Sequence, residues 1–440
     1  MPEVVERFLS EVAWFQEGPG ILAKDFRPSG IPLVRLAGLG GHEVSLDGCN
    51  FVSPEMGEGK WSHFRLSEGD ICISTSATFG RPATVRGKAA GAIFYTGIIR
   101  FRSTSDDLDT RYLRLFLGSR AFANQAEAMA SGSVIRHFGP SHLKQMRIQL
   151  PSRRVQSRIA ALVDALDDKI ELNRRMNETL EAMAQAIFRD WFVDFGPTRR
   201  KLAGIADPTE IMGGLVRDPV RAASLAALFP AALGDDGLPV GWEMGTLAGV
   251  AKLNPETWSA RNHPSEVEYV DLSNTKWGTI EATTMYAWED SPSRARRVAR
   301  RGDTMVGTVR PGNGSYAYIG RNGLTGSTGF AVLRPLGPQL SPLVYCAATR
   351  RENIDRLATL ADGGAYPAVR PDLVLATDVV GSKSQAGEFF GELCGPLIGK
   401  IEANKEENQT LAATRDLLLP KLMSGEIRLR EAEAIAEEAS

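Results

Sequence analysis

The sequence predicts an α+β protein in which a mixed α/β domain, rich in irregular loops, occurs twice, each copy followed by a long coiled-coil-like helix. Three observations lead to this fold class: a duplicated helical segment, two stretches with apolar residues at three- and four-residue steps, and short β-type runs between turn-forming residues. A chain of 440 residues also exceeds one ordinary domain.

The duplication is clearest in the helical segments. Residues 169–180 read KIELNRRMNETL and residues 400–411 read KIEANKEENQTL, so Lys, Ile, Glu, Asn, Asn, Thr and Leu coincide at a constant offset. Nearly the same offset brings Gly69-Asp70-Ile71 onto Gly302-Asp303-Thr304. The chain is therefore expected to consist of two copies of one unit.

The globular segments combine strands with helices. Helices are predicted around residues 109–130 and 342–361. Turn-forming Gly, Pro, Ser and Asn separate the strands, and such loops are suited to reading an irregular surface. The predicted strands are GDICIST (69–75), AIFYTGIIRFR (92–102), EYVDLS (268–273) and TGFAVLRP (328–335).

The two long helices carry an apolar seam. No proline or glycine occurs between Ser152 and Arg189, and the second helix is predicted to end near Leu419-Pro420. Apolar spacing of this kind is typical of a coiled coil. The seam residues are Ile159, Leu162, Leu166, Ile170, Met176, Leu180, Met183 and Ile187 in the first helix, and Phe390, Leu393, Leu397, Ile401, Leu411 and Leu418 in the second.

An asparagine interrupts each seam at the same phase, Asn173 in the first helix and Asn404 in the second. A buried asparagine on a seam lowers stability but selects one register. We predict that Asn173 and Asn404 pair across the helices. The alternative is that both face solvent on ordinary surface helices.

Composition excludes several classes of protein. No window is apolar enough for a membrane span, and the N-terminal MPEVVERFLSEVAWF lacks the basic start of a signal peptide. The four cysteines are isolated from one another, which favours reduced thiols in a cytosolic protein over a zinc site or disulfide framework. A net charge of −2 argues against a generic nucleic-acid coat protein, although the two large segments are slightly basic and the two helical ones acidic.

The sequence gives little support to an enzymatic function. The sequence has no G-x-x-x-x-G-K-[ST] loop, its Asn254-Pro255 lacks the following proline and aromatic of an amino-methyltransferase, and its histidines lack metal-ligand spacing. The Gly312-x-Gly314 pair carries almost no weight as a nucleotide loop. Asp70 and Asp303 have no Glu-x-Lys partner typical of a nuclease, so we interpret them as structural aspartates that open strands.

A family resemblance appears in the helices. The run LPSRRVQSRIAALVDALDDKIELNRRMNETLEAMAQAIFRDWFVDFGP (150–197) resembles the central conserved region of type I restriction–modification specificity subunits, and PLIGKIEANKEENQTLAATRDLLLPKLMSGEIRL (396–429) resembles their distal conserved region. The most specific pieces are FRDWFVDF (188–195) and RDLLLPKLMSGE (415–426). The second copy departs by lacking the Leu150-Pro151 lead-in, and the first lacks an opening like LPVGW (238–242), so a shortened or variant N-terminus is an open expectation.

The resemblance implies a division of the chain. Residues 1–150 would form the first target-recognition domain, 151–197 the central helical spacer, 198–385 the second target-recognition domain, and 386–440 the distal helical spacer with the C-terminal tail. In this family each domain reads one half of a split double-stranded DNA sequence, while the two spacer helices pair antiparallel and brace the domains.

The resemblance also implies the partners. The chain would be cytoplasmic, would carry no catalytic site and no cofactor, and would scaffold modification (methyltransferase) and restriction (translocase/nuclease) subunits. S-adenosylmethionine, ATP and Mg are expected on those partner subunits, and no membrane is involved. The alternatives are a divergent stand-alone DNA methyltransferase or nuclease, and a coiled-coil adaptor without a DNA role.

Candidate DNA contacts are side chains that can bond base edges or neutralise phosphates, on or beside Gly-rich loops. An arginine cluster at 294–301 precedes one of these loops; its alternatives are a solvated helix face or an intersubunit salt bridge. The candidates are Thr78, Gly80, Arg81, Arg136, His137, Lys276 (beside Trp277), Arg297, Arg301, Arg310, Asn313, Ser315 and Tyr316.

A second set of residues is assigned to helix pairing and subunit docking. For the aromatic residues at the end of the first helix, packing is favoured over base stacking because the helix ends there, before Gly196-Pro197. The set is Asn173, Asn177, Leu180, Trp191, Phe192, Asn404, Asn408 and Leu411.

Overall fold

The polypeptide divides into two units. Each unit contains the first part of one long helix and the last part of the other. The structure, a computed structural model, describes residues 4–75, 82–129, 139–364, 366–381 and 384–439. Unit 1 combines residues 1–172 with 407–440, and unit 2 comprises residues 173–406.

Unit 1 is built on three small sheets. Their strand orders are β2-β8-β5-β6, β4-β3-β7 and β1-β9. The strands are β1 (Val5–Phe8), β2 (Ala13–Glu17), β3 (Ile31–Val34), β4 (Asn50–Val52), β5 (Ile71–Ser74), β6 (Ala83–Thr84), β7 (Ile93–Phe94), β8 (Ile98–Ser103) and β9 (Arg147–Leu150). The helices are α1 (Leu9–Val12), α2 (Pro54–Glu58), α3 (Thr110–Leu117), α4 (Arg120–Met129) and α5 (Pro140–Leu143), followed by α6 (Arg153–Phe192), which belongs to unit 1 up to Leu172.

Unit 2 repeats this arrangement with additions. Its helices are α7 (Gly196–Leu202), α8 (Pro208–Ile211), α9 (Pro219–Ala227), α10 (Ser341–Thr349), α11 (Arg351–Leu360), α12 (Pro371–Leu375) and the first part of α13 (Gln385–Ser424), and α14 (Leu429–Ala439) follows in unit 1. Its strands are β10 (Met244–Thr246), β11 (Ala251–Leu253), β12 (Glu266–Val270), β13 (Thr275–Lys276), β14 (Thr279–Ile280), β15 (Thr284–Ala287), β16 (Ala295–Ala299), β17 (Thr304–Gly307), β18 (Tyr316–Tyr318), β19 (Leu324–Ser327), β20 (Phe330–Pro335) and β21 (Asp378–Val380). Their sheet orders include β11-β20-β17-β18, β15-β12-β19-β16 and β10-β21.

The strand orders confirm the duplication. The order β2-β8-β5-β6 of unit 1 recurs as β11-β20-β17-β18 in unit 2. Strand β3 pairs antiparallel with β4 and parallel with β7, and β12 pairs in the same two senses with β15 and β19. The predicted class, two mixed α/β domains with two long helices, is therefore confirmed.

The same arginine–aspartate ion pair, with a buried carboxylate, lies at the start of β5 in unit 1 and of β17 in unit 2. Arg102 donates to both carboxylate oxygens of Asp70, at 2.7 and 2.9 Å, and Arg334 donates to those of Asp303 at 2.9 and 2.8 Å. Each aspartate is 1% exposed and also accepts a backbone N–H three residues earlier in the chain. Their interpretation as structural residues agrees with these contacts, because a buried charge requires such pairing.

Helices α6 and α13 pack against each other antiparallel within each unit. In unit 1, Leu166 of α6 and Leu411 of α13 belong to one buried apolar core. In unit 2, the rings of Phe188 and Phe390 lie 5.9 Å apart, so a later residue of α6 meets an earlier residue of α13. The predicted apolar seam thus forms most of the helix contact, although Met183 departs from it with 45% of its surface exposed.

Helix α13 does not end where the sequence predicts. It continues through Pro420 to Ser424. Proline removes one backbone hydrogen bond from a helix interior, which normally stops or kinks the helix. Here Leu418 and Leu422, on either side of the proline, are both buried in the core of unit 1, and this packing holds the last turn in helical form.

Candidate nucleic-acid interface

In unit 2 the connection between β17 and β18 forms a tight turn, residues 310–314. Arg310 and Gly314 enclose it in left-handed conformations with φ of 48° and 69°. Pro311 begins a single 3-10 turn between them, and the Asn313 N–H donates to the Arg310 carbonyl at 2.9 Å. The side chains of Arg310 and Asn313 are exposed. Within the described ranges the Asn313 amide makes no hydrogen bond.

An exposed tryptophan flanks one side of the 310–314 turn. Trp277 has a left-handed backbone with φ of 45° and is 46% exposed. Its backbone N–H donates to the Gly314 carbonyl at 2.7 Å. Its ring lies so close to Gly314 that a Cβ there would fall 2.5 Å from ring atoms. The Arg351 guanidinium lies over the ring, 5.0 Å from the centroid, as in a cation–π pair.

A tyrosine flanks the other side. Tyr366 is 72% exposed, and the Arg310 guanidinium lies 4.7 Å from its ring centroid. The backbone N–H of Arg310 donates to the Pro367 carbonyl at 2.7 Å, and this bond holds the two segments together. The 310–314 turn therefore lies between two exposed aromatic rings, each paired with an arginine.

Polar groups on α6, α10 and α13 anchor the Trp277–Gly278 segment. Lys405 of α13 donates to the Gly278 carbonyl at 2.8 Å and to the Glu402 carboxylate at 2.7 Å. The Tyr345 hydroxyl, which would touch a Cβ at Gly278, donates to Glu181 of α6 at 2.7 Å. Burial raises the pKa of Glu181, opposed by the Tyr345 hydrogen bond. Contacts from α6 and α13 thus fix the position of Trp277.

Two of the predicted contacts on this loop are buried, contrary to expectation. Ser315 is 7% exposed and donates its hydroxyl to the Leu272 carbonyl at 3.1 Å. Tyr316 is 8% exposed and meets the Tyr345 ring edge-on, with centroids 6.4 Å apart. Ser315 precedes β18 and Tyr316 begins it, and both side chains pack against other segments of unit 2 instead of facing solvent.

The arginine cluster at 294–301 lies on strand β16 and its ends rather than on a helix, and much of its charge is satisfied within unit 2. Arg294 pairs with Asp271 at 2.8 Å, and Arg300 pairs with Glu256 at 2.5 Å. The alternative of a solvated helix face is therefore wrong for these two residues, whose charges are paired within their own unit. They stabilise their own domain.

The remaining basic candidates differ in accessibility. Arg297 is half-buried, its Nη1 lies 3.4 Å from the Thr257 hydroxyl, and burial lowers its pKa, so it is poorly placed to meet DNA. Arg301 is exposed, and its guanidinium forms no hydrogen bond or ion pair with the residues that the structure describes. Lys276 is exposed beside the 310–314 turn, with Glu281 at 4.0 Å.

Five of the predicted DNA contacts belong to unit 1. They fall in 76–81 and 130–138, outside the described residues; they are Thr78, Gly80, Arg81, Arg136 and His137. The first group follows β5, which corresponds in sheet order to β17 of unit 2. These five assignments stay predictions.

The seam asparagines pair differently from the prediction. Asn404 is fully buried and donates its Nδ2 to the Asn177 Oδ1 at 2.8 Å, not to Asn173. Asn173 is also buried, at 1% exposure, which contradicts the solvent-facing alternative. In unit 1, Asn408 Nδ2 lies 3.4 Å from the Ile170 carbonyl. The repeat makes residues 173 and 404 equivalent, but antiparallel helices bring 404 opposite 177.

The other helix residues serve packing. Leu411 is fully buried in unit 1, and Leu180 is half-buried in unit 2. The rings of Trp191 and Phe192 lie 6.0 and 5.6 Å from that of Phe390 on α13. Because both are almost completely buried, they join the helices and offer no surface to a docking subunit.

Two exposed residues of this region were not singled out from the sequence. Arg351 begins α11, which packs beside the 310–314 turn, and Tyr366 is brought there by a bridge between Val309 and Ala368; no local motif predicts either contact. For Tyr366, a weak sequence signal is its position inside the polar, Gly-rich run ADGGAYP.

No group of His, Cys, Asp or Glu among the described residues could hold a metal ion. Across the same part of the chain, no helix is long and apolar enough to cross a membrane.

Known proteins resemble this chain in sequence and in fold. Residues 1–182 match the family model of the type I restriction modification DNA specificity domain. The HindI specificity subunit of Haemophilus influenzae is 24% identical over 328 residues, 65% of this chain and 70% of that protein. The MjaIX specificity subunit of Methanocaldococcus jannaschii is 21% identical over 375 residues, 83% and 79% of the two chains.

A solved structure agrees in fold. The S subunit of a type I restriction–modification system from M. genitalium aligns over 96% of each chain, with a TM-score of 0.51 and 17% identity. The matched specificity domain, the two relatives and the duplicated strand order agree with one another. Residues 1–182 thus match a type I restriction modification DNA specificity domain, and most of the chain is similar to specificity subunits of such systems.

Proposed function

We propose that this chain reads a split double-stranded DNA sequence, one half-site per unit, and supplies no catalytic group itself. The observation that carries the proposal is the strand order β2-β8-β5-β6, repeated as β11-β20-β17-β18. A reader built twice in one chain matches a target with two half-sites, as two-fold proteins match palindromic operators. The specificity-domain match on residues 1–182 supports the assignment to DNA.

The chain acts in this proposal as a scaffold for partner subunits in the cytoplasm. Modification subunits carry S-adenosylmethionine and methylate adenine, and restriction subunits use ATP and Mg to cleave. The internal pairing of Arg294 and Arg300 supports a need for partners, because these charges are not free to neutralise phosphates. The free, buried Cys72, Cys346 and Cys394 suit a reducing compartment.

The test is reconstitution of the chain with its modification subunits, followed by mapping of methylated adenines on genomic DNA. We expect one split sequence that requires this chain. Methyl transfer by the isolated chain would instead favour a stand-alone methyltransferase. Methylation whose sequence is indifferent to the chain would favour an adaptor without a DNA role.

A further inference from the structure

The surface around the 310–314 turn concentrates backbone strain. Among the described residues, Phe195, Asn254, Trp277 and Arg310 are the non-glycine residues with positive φ, and two of these four lie on this surface. Such conformations cost free energy and persist where surrounding contacts hold them, which is common at binding sites. Here they aim two side chains outward on either side of one turn.

The turn carries a side chain suited to a base edge. Asn313 is exposed, and its amide has no hydrogen-bond partner in the described part of the chain. Its backbone is nevertheless fixed by the bond to Arg310, so little ordering is needed on binding. An asparagine amide donates and accepts side by side, which matches N7 and the N6 amino group of adenine in the major groove.

The surroundings of Asn313 suit phosphate. Arg310 and Arg351 lie over the exposed rings of Tyr366 and Trp277, and Lys276 precedes the tryptophan. Arg351 also pairs with Asp355 at 3.1 Å, but both side chains are more than half exposed, and such a surface pair contributes little and can give way to a phosphate. Ring contacts orient the two guanidinium planes without burying them. Contacts of this kind position a protein on the duplex and carry no sequence information directly.

We propose that Asn313 is the residue with which unit 2 reads one adenine of its half-site, and that Arg310 and Arg351 bind the phosphates that flank it. The proposal rests on the proposed function, since it assigns residues to the reading of the second half-site. The proposal assigns two separate roles: Asn313 determines which base is read, whereas Arg310 and Arg351 determine the affinity for DNA.

The experiment compares complexes of the full chain with its modification subunits. Asn313→Ala and Asn313→Asp are tested by methylation mapping on genomic DNA, beside the matched control Asn262→Ala, another exposed asparagine in a turn. Asn313→Ala should relax one base pair of one half-site by about tenfold in discrimination, and Asn313→Asp should shift that position towards cytosine. Asn262→Ala should leave the motif unchanged.

The arginines give a different readout. Arg351→Gln should weaken binding of all sequences alike and lower the slope of log affinity against log salt by about one, with the methylated motif preserved. A wild-type complex that marks a split sequence which Asn313→Ala leaves unchanged overturns this inference alone, as does a change of motif in Asn262→Ala. A wild-type complex that marks no split sequence overturns the proposed function and the inference together.

Discussion

Asn404 of α13 donates its side-chain Nδ2 to the Oδ1 of Asn177 on α6 at 2.8 Å, inside the helix contact of unit 2. Asn404 is fully buried, and its own Oδ1 has no partner among the described residues. A buried pair with one unsatisfied acceptor is not the most stable filling of a helix contact. It does, however, admit one register, because a shift of either helix would leave both amides unpaired.

Replacing both residues with leucine should therefore stabilise the chain and weaken its register. We expect Asn177→Leu/Asn404→Leu to raise the free energy of unfolding by about 1–3 kcal/mol, since the unsatisfied carbonyl is removed. Thermal unfolding measures the first effect. The second should appear as a loss of sharpness in the methylated sequence.

Gln409→Leu, at an exposed position of α13, is the control for added apolar surface and should change neither quantity. A double variant that is less stable than the wild type, with an unchanged methylated sequence, would show that the pair contributes packing rather than register.

The sequence determined the repeat and the seam but not the contact between the asparagines. The offset between the KIE segments identifies equivalent residues, whereas contact depends on the direction in which the helices cross, which brings 404 to 177. The sequence alone predicts that the helix ends at Pro420, because the packing of the residues around this proline is a tertiary effect.

The candidate interface was predictable to a similar degree. Arg310 and Asn313 were found because a Gly- and Pro-rich loop after a strand is a local signal. Ser315 is buried because its hydroxyl bonds the Leu272 carbonyl, a contact with a distant segment that the local pattern does not reveal. Arg351 and Tyr366 come from other segments, and only the tertiary fold brings them to the turn.

Acid should destabilise unit 2 through Glu256. Hydrogen bonds from Arg300 and Arg334 lower its pKa from 4.5 to about 2, against the opposing effect of burial. A carboxyl group whose pKa is lower in the folded state stabilises the fold above pH 4.5, and this contribution disappears as the pH falls towards 2. The melting temperature of the wild type should fall through that window.

Glu256→Gln isolates the effect from other carboxylates. This variant should melt at a lower temperature than the wild type at pH 7, and the difference should shrink as the pH approaches 2. A difference that stays constant from pH 7 to pH 2 would mean that the carboxylate charge of Glu256 contributes nothing to stability.

Lys405 is predicted to position the Trp277–Gly278 segment rather than to touch DNA. Its Nζ bonds the Gly278 carbonyl at 2.8 Å and is only partly exposed. Lys405→Met removes that bond, so the second half-site should be read several-fold less selectively while the first is unaffected. Lys400→Met, at an exposed position of the same helix, is the matched control. Equal losses at both half-sites would indicate general destabilisation instead.

Salt should separate the isolated chain from the complex. With a net charge of −2 and several arginines paired internally, the chain alone should bind DNA weakly. The complex with modification subunits should bind tightly, and its affinity should fall steeply with salt because bound counterions are released from the phosphates. Titration of a labelled duplex at several salt concentrations measures the slope. A flat response of the complex would contradict a DNA-bound scaffold.

Each unit should act as a separable reader, and the contacts of unit 1 show how to cut it out. Strands β1 and β9 pair antiparallel from Val5↔Leu150, so both ends of segment 1–150 meet in one sheet. The segment docks on α6 through Asp109, whose carboxylate accepts from the Ser157 hydroxyl at 3.0 Å, and through Arg114, which donates to Asp164 at 2.6 Å.

Exchange of residues 1–150 for the matching domain of a relative should therefore change one half of the methylated sequence and leave the other half intact. The donor domain should keep an aspartate and an arginine at the positions of Asp109 and Arg114, so that α6 retains its partners; a donor lacking both should give a less stable chimera for structural reasons alone. Methylation mapping of the well-folded chimera then decides the model. Alteration of both half-sites would show that the two units read DNA jointly, and the two-reader proposal would have to be abandoned.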